Sequence, residues 1–581
     1  MSHSPSNQKR HLLTVLLEDY FHVGAFNGLI EREKWYRFEP RSEKNTLRAL
    51  DLLDRFQIKA TFFLLGWIAE RQPDLVREVA RRGHEIGSRG FYHRSLRQMS
   101  SDEFRNDLAR SRDALEQAGG KKVVGFRAAR RLTLPTDAWA LDVLAKEGYA
   151  YDSSVLPTYR SLQVDPTLRF AHPFHTVNGP LWEFPVATWP VLGLPLPILG
   201  GNYSRQLPHT FTRKLVSRWD QEFDHPFVLY FHVWELDPDQ PRISGASPLT
   251  RVRHYRGLEK MGRLLEEYFA EYNFSPIADY LNLELTTSRE KTAELFAPAS
   301  QARSLTTNAE PAHVPAKIPR CGVTLIVPCY NEESVLPYLR NTLDSVRELL
   351  KERYDLSFIF VDDCSTDQTR TKLEDLFGAQ EDCRIISQER NQGVAGAILT
   401  GIRNASTEVV CSIDCDCTYD PHELGKMIPR LTAGVALVTA SPYHPFGQVR
   451  NVPEWRLRLS RTSSWLYRRV LRQKLFTYTS CFRVYRRSAV VEMKPTECGF
   501  LGIAELLGLI DLAGLRIVEH PATLEVRLFG HSKMKTLKMI AGHLRLLSRF
   551  VVKRLQSQVT DWQPSGHSER VSRGKSRQGF N

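Results

Sequence analysis

At 581 residues the chain is too long for one ordinary core and predicts two or more domains, and its 42% hydrophobic and 25% charged residues are those of soluble globular protein. A net charge of +13 predicts an anionic partner. The basic excess gathers between Arg450 and Arg487 and again towards the C-terminus, and no nucleic-acid-reading motif is present, so a membrane surface or phosphate-bearing substrate is expected and nucleic acid is not.

The N-terminus, 1–10, is polar and expected to be disordered, without the apolar stretch of a signal peptide. No apolar run is long enough to span a bilayer, so neither export nor a transmembrane anchor is expected. From His11 apolar runs alternate with helical periodicity: a strand at Leu12–Leu17, a helix near Glu43–Phe56, a strand at Ala60–Leu65, a helix at Asp74–Arg82 and a strand at His84–Gly87. Further units follow at Ser101–Ala118, Val123–Phe126, Pro135–Lys146 and Phe227–His232. Strands alternating with helices predict an α/β domain with a parallel sheet or barrel, over 11–285.

The landmarks of this half are Glu18-Asp19-Tyr20-Phe21-His22, Gly83-His84-Glu85-Ile86-Gly87, His93, Gly125-Phe126-Arg127-Ala128, Tyr151-Asp152-Ser153-Ser154 and Phe231-His232-Val233-Trp234-Glu235. Together they resemble a polysaccharide deacetylase of the NodB-homology, exopolysaccharide-locus branch. The resemblance implies a distorted (β/α) barrel that removes N-acetyl groups with a metal-bound water. Glu18, Asp19, His93, Arg127 and His232 match its site, but Leu16 stands where the family carries an aspartate base, and Arg89 where it carries the first histidine of its metal pair. With only Asp19 and His93 left as ligands, and a guanidinium in a ligand position, zinc is not expected here and the site reads as vestigial. The alternative is an active metal-dependent deacetylase in which Glu18 or His22 replaces the base. Packed histidines are the simpler account of His22, His84 and His93, and barrel core that of Trp234.

Residues 286–320 are rich in Ser, Thr, Ala, Pro and charge, without apolar periodicity, and predict a flexible tether. Beyond it, Val323–Pro328 reads as a buried strand running into Cys329-Tyr330-Asn331-Glu332-Glu333, with a helix starting near Ser334. Phe358–Val361 runs into Asp362-Asp363-Cys364-Ser365, and Asn391-Gln392-Gly393 is a small-residue turn opening a helix. The strand Val409–Ile413 ends in Asp414 and Asp416. On an extended segment that spacing puts both carboxylates on one face, suited to a hard divalent cation that keeps positions for phosphates.

All nine cysteines lie after residue 320, an odd set that is not a disulfide framework; reduced thiols in a cytoplasm are expected, and zinc on Cys411, Cys415 and Cys417 is not.

The order Val-Pro-x-Tyr-Asn-Glu-Glu, Asp-Asp-x-Ser-x-Asp, Asn-x-Gly, Asp-x-Asp resembles a family 2 glycosyltransferase with the GT-A fold, over 321–556. Arg527-Leu528-Phe529-Gly530-His531-Ser532-Lys533 narrows the likeness to the polyprenyl-phosphate, dolichol-phosphate mannose synthase-like group. The resemblance implies that Pro328, Tyr330, Glu332, Asp362, Asp363, Asn391 and Gly393 bind the nucleotide sugar. Asp414 and Asp416 hold Mg²⁺ or Mn²⁺, Glu505 joins them as a catalytic carboxylate, and Arg483, Arg527 and Lys533 meet the acceptor phosphate. Trp455, Leu459, Leu466 and Val470, and later Leu537, Ile540, Leu544, Leu547 and Val551, recur at helical spacing among arginines and lysines. Such helices predict peripheral attachment to the inner face of the membrane, with a polar disordered tail at 557–581. The expected activity is transfer of a sugar from a nucleotide donor to a polyprenyl phosphate or glycan, in surface polysaccharide or glycolipid synthesis. A non-catalytic glycan- or nucleotide-binding scaffold is the remaining alternative.

Overall fold

The computed structural model describes residues 9–285, 320–530 and 536–560, side chains at 164, 536–538 and 557–560 excepted. The expected tether and nearly all of both expected disordered ends lie outside these residues, although a strand already begins at Arg10 and the last helix runs to Thr560. The chain divides into two compact units, Met1–Lys317 with Leu528–Gly530, and Ile318–Arg527 with His531–Asn581.

In the first unit the strands are β1 (Arg10–Leu17), β2 (Thr61–Leu64), β3 (Glu85–Ser88), β4 (Gly125–Phe126), β5 (Tyr151–Asp152), β6 (His172–Thr176), β7 (Gly179–Glu183), β8 (Thr188–Val191), β9 (Leu194–Pro197), β10 (Val228–His232) and β11 (Asn273–Ser275). All but the β8–β9 hairpin form one sheet in the order β10-β1-β2-β3-β4-β5-β7-β6, with β11 also against β1. Every pairing from β10 to β7 is parallel, and β6 returns antiparallel to β7. The α/β architecture is the expected one, but the described strands make an open path, not a closed barrel.

β1 reads as a continuous apolar run because it is buried on both faces, as parallel strands under helices are. Local signals set the crossover helices. Ser101–Gly119 starts in a capping box between Ser100 and Glu103 and stops at Gly120, whose φ of 65° is the left-handed turn that glycine takes without strain.

The second unit has a seven-stranded sheet. Its strands are β12 (Cys321–Cys329), β13 (Tyr354–Asp362), β14 (Cys383–Ser387), β15 (Val409–Ser412), β16 (Val435–Ser441), β17 (Gln448–Arg450), β18 (Arg483–Arg486), β19 (Arg516–Pro521) and β20 (Thr523–Glu525), with β17 and β20 as a separate pair. The order β14-β13-β12-β15-β18-β16-β19 reverses direction of growth at β12: β13 and β14 lie on one side of it, and β15 on the other. Ligands of open α/β sheets bind at such a reversal, beyond the carboxyl ends of the strands.

The basic helices differ in part from their expected stripes. Glu454–Val470 buries Leu457, Ser464 and Tyr467, half-buries Leu466 and Val470 against the core, and exposes Trp455, Leu459 and Trp465. Thr536–Thr560 buries Leu546, Leu547 and Phe550 and exposes Ile540, Leu544 and Val551; the side chain of Leu537 lies outside the described residues. The core takes whichever apolar residues face it, so each helix presents a second, uncovered apolar set. No described helix is long and apolar enough to cross a membrane.

Candidate functional site

In the first unit, chemistry-bearing residues gather where the parallel strands end. Glu18 follows β1, Arg89 follows β3, Arg127 follows β4, Asp152 and Glu183 close β5 and β7, and His232 closes β10. The centre is Glu18, buried among three partners: Arg89 Nε at 2.9 Å, His232 Nδ1 at 2.7 Å and His93 Nε2 at 3.0 Å. Burial alone would raise its pKa, but Arg89, His93 and His232 together hold the carboxyl well below the ordinary range. Arg89 also reaches His93 Nε2 at 3.0 Å and the Ala128 carbonyl at 3.2 Å. Burial lowers the His93 pKa, against the opposing charge of Glu18.

This corrects the expected ligand pair. Asp19 does not join His93; its Oδ2 accepts from the Arg41 and Ser42 amides, each at 2.9 Å, at the start of the helix Ser42–Arg55. Burial raises it to about 6 despite those bonds. Nor is His22 placed as a substitute base. Its Nδ1 accepts from the Asp19 amide at 2.9 Å, its ring packs on Trp35 and Trp67, and burial lowers its pKa to about 3. Leu16 is core.

Arg127 donates to Ser153 Oγ at 2.9 Å and lies over the Tyr230 ring at 4.5 Å, and burial lowers it to about 10. Asp152 and Glu183, paired in register, share a hydrogen bond, and burial raises both carboxyls. Glu183 and Tyr230 were not singled out by sequence; their signal was position at the carboxyl end of a strand, legible only once the strands are ordered.

In the second unit the reversal point carries the acidic residues. Cys329 pairs in register with Asp362, and Asp363 N donates to the Cys329 carbonyl at 2.8 Å. Tyr330 follows β12 directly and is half-buried, as is Pro328 within the strand. Asn331 stitches the two strand ends together, donating from its amide to Ser365 Oγ at 2.9 Å and accepting at Oδ1 from the Thr366 amide at 2.7 Å. Asp363 Oδ1 accepts from the Gln392 amide at 2.7 Å, and Asn391 Nδ2 donates to the Asp363 carbonyl at 3.1 Å. Gly393 is required where it stands: φ is +72°, and a Cβ would come within 2.4 Å of the Gly499 nitrogen.

Beyond β15 the chain turns instead of staying extended: Cys417 N donates to the Asp414 carbonyl at 3.1 Å, and Cys417 has a φ of 52°. Cys415, between the two aspartates, is buried with its Sγ 3.8 Å from that of Cys329. All nine cysteines are free. Burial, then the charge of Asp416, pushes Asp414 up to about 7, against a hydrogen bond with Cys481. Asp416 accepts at Oδ1 from the Thr418 amide at 3.1 Å and at Oδ2 from Arg527 Nε at 2.5 Å; Arg527 Nη2 reaches Glu332 Oε1 at 3.0 Å.

Two expected roles are corrected. Arg483 is fully buried in β18 and donates to the Ile503 and Tyr478 carbonyls, each at 2.9 Å, so it is a core tie and not a phosphate contact. Glu505 is buried too, its oxygens accepting from the Thr496 and Glu497 amides and the Thr496 hydroxyl at 2.7–3.0 Å. It fastens the loop before the helix Gly499–Leu512 and is not placed as a catalytic group. Lys533 lies outside the described residues.

Among the described residues no three or more His, Cys, Asp or Glu side chains are grouped to hold a metal ion. The donor set of Asp414 and Asp416 instead fits a hard cation that takes one or two carboxylates from protein and the rest of its shell from phosphates and water.

Residues 32–151 match the polysaccharide deacetylase family model, 153–282 a model described as a domain of unknown function, and 324–493 the glycosyl transferase family 2 model. The chain joins a polysaccharide deacetylase domain to a family 2 glycosyl transferase domain. Among similar proteins, the dolichol-phosphate mannosyltransferase of Pyrococcus furiosus is 28% identical over 231 residues, covering 39% of this chain and 63% of that protein. The polyprenol monophosphomannose synthase of Mycolicibacterium smegmatis is 29% identical over 217 residues, covering 36% and 80%. The peptidoglycan-N-acetylglucosamine deacetylase of Bacillus cereus is 39% identical over 75 residues, covering 13% and 27%. The chain therefore spans less than two thirds of the Pyrococcus relative and about a quarter of the Bacillus one.

Proposed function

We propose that the glycosyl transferase half moves a sugar from a nucleotide sugar to a polyprenyl phosphate, or to a related glycan acceptor, at a membrane surface in surface-polysaccharide or glycolipid synthesis. The observation that carries this reading is the carboxylate cluster of Asp414, Asp416 and Glu332 at the reversal point of the sheet, with Arg527 bound to two of its members. The mannosyl transferases among the relatives, acting on dolichol or polyprenol phosphate by their names, support the acceptor class.

In this reading Pro328, Tyr330, Asp362 and Asp363 shape the nucleotide pocket, and Asn391 and Gly393 form the turn that closes on it. Asp414 and Asp416 would hold Mg²⁺ or Mn²⁺, which when bound neutralises the departing nucleoside diphosphate. An acceptor phosphate is already ionised near neutral pH, so the protein's task is to position two anions, and little general-base help is needed. Arg527 and Lys533 are the acceptor-phosphate cations; Arg483 drops from that set. The exposed Trp455, Leu459 and Trp465, among the arginines of their helix, form the membrane-facing surface. The protein works as a peripheral enzyme at the inner face of the cytoplasmic membrane.

The deacetylase half we read as catalytically silent, since Glu18 and His93 lie 3.0 Å apart and Arg89 binds both. Its remaining role is to bind glycan.

The test is transfer of radiolabelled sugar from a panel of nucleotide sugars into polyprenyl phosphate with Mn²⁺ or Mg²⁺, wild type against Asp416→Ala. Label in an organic-soluble, mild-acid-labile product with wild type alone is the expected result. A folded wild type that binds nucleotide yet labels no lipid would sink the lipid-phosphate acceptor, and oligosaccharide acceptors would come next.

A further inference from the structure

Both oxygens of the Asp416 carboxylate already accept a hydrogen bond. Oδ1 is held by the Thr418 amide at 3.1 Å and Oδ2 by Arg527 Nε at 2.5 Å, while the same guanidinium reaches Glu332 at 3.0 Å through Nη2. A divalent cation binds a carboxylate oxygen at about 2.0–2.6 Å, closer than a guanidinium can share without severe repulsion between the two positive centres. Ion and arginine therefore compete for Oδ2 of Asp416.

Three acidic side chains meet in this crevice, and the arginine supplies the positive charge that lets them coexist. A guanidinium is charged at any ordinary pH, so Arg527 brings a fixed positive charge to these carboxylates. It is also able to leave. Its side chain is 27% exposed, and it donates to the carboxylates of Asp416 and Glu332. Arg483, by contrast, is fully enclosed and tied to backbone carbonyls.

We infer that Arg527 is a built-in stand-in for the divalent ion: it occupies the carboxylates of the empty donor site, is displaced from Asp416 when the ion binds, and is thereby released beside the phosphates it serves. The inference rests on the reading of Asp414 and Asp416 as the cation site and adds an exchange to it. Metal entry then has two consequences from one event. It completes the donor site, and it frees a positively charged side chain for the acceptor phosphate once the donor site is loaded. In the absence of the ion, the arginine lowers apparent metal affinity by the fraction of molecules in which Asp416 is occupied.

The experiment is a Mn²⁺ titration of the full chain, without nucleotide, followed by the electron paramagnetic resonance signal of free Mn²⁺, for wild type, Arg527→Ala, Arg527→Lys and Asp416→Asn. The expected result is Mn²⁺ binding tighter by on the order of tenfold in Arg527→Ala, intermediate in Arg527→Lys and lost in Asp416→Asn. Unchanged or weaker binding in Arg527→Ala, with loss in Asp416→Asn, would overturn the exchange and leave the cation site standing. Equal binding in wild type and Asp416→Asn would instead remove the cation site itself. A readout on unaltered protein guards against a variant that fails to fold: phenylglyoxal modification of Arg527, followed by peptide mass mapping, should speed up on adding Mn²⁺. A rate unchanged at saturating Mn²⁺ overturns the exchange.

Discussion

Arg89 and Glu18 form a buried ion pair at 2.9 Å, and its arginine belongs permanently to the site. Both side chains are at most 4% exposed, and Arg89 is bound by Glu18, His93 and the Ala128 carbonyl. Arg527 sits on Asp416 in a comparable way, but about a quarter exposed to solvent and held by carboxylates.

Breaking the first pair should unfold the domain before it changes any chemistry. Glu18→Gln leaves a buried guanidinium without its counter-ion, and is expected to cost about 3–5 kcal/mol in denaturant unfolding of the first unit. Replacing both residues with apolar ones of similar volume should cost less.

The same carboxylate sets an acid limit. Its folded pKa lies well below the ordinary 4.5, so below that value the unfolded chain binds the extra proton. Stability from Glu18 is therefore full above about pH 4.5 and lost as pH falls through the folded pKa. Urea midpoints measured from pH 7 downwards should fall in wild type over that acid range, with a shallower fall in Glu18→Gln.

Arg483→Ala is expected to act on folding, not on acceptor binding. It removes the buried hydrogen bonds to the Ile503 and Tyr478 carbonyls and opens a cavity, for a cost of about 3 kcal/mol or more. A folded variant with normal stability and a raised acceptor KM would contradict the placement.

Glu505→Gln should lose one charge-assisted bond to the Thr496–Glu497 loop, about 1.5–3 kcal/mol of stability, with turnover kept. A general acid or base at this position predicts instead a fall in kcat of about 10²–10⁴-fold.

Vesicle flotation tests the surface around Trp455 and Trp465, each 53% exposed. Full-length protein should float with phosphatidylserine vesicles at low salt and less at high salt. The double Trp→Ala variant should float less at either. Equal flotation of variant and wild type would move the contact elsewhere.

Sequence by itself determined the two-part α/β plan, because continuous apolar strands alternating with amphipathic helices have few other ways to bury their surface. It also located the acidic clusters at strand ends, where ligands of such sheets bind. Tertiary structure decided what each charge does. Glu18 and Asp19 are neighbours in sequence, yet one meets His93 and His232 while the other caps a helix, since successive residues leaving a strand point in different directions. Arg483 and Arg527 are chemically the same residue in equally basic surroundings. Only the packing of β18 against its helix, and the approach of residue 527 to the end of β15, made one a core tie and the other a cation on Asp416. Partners that lie 111 residues apart in the chain carry no local signal of their meeting.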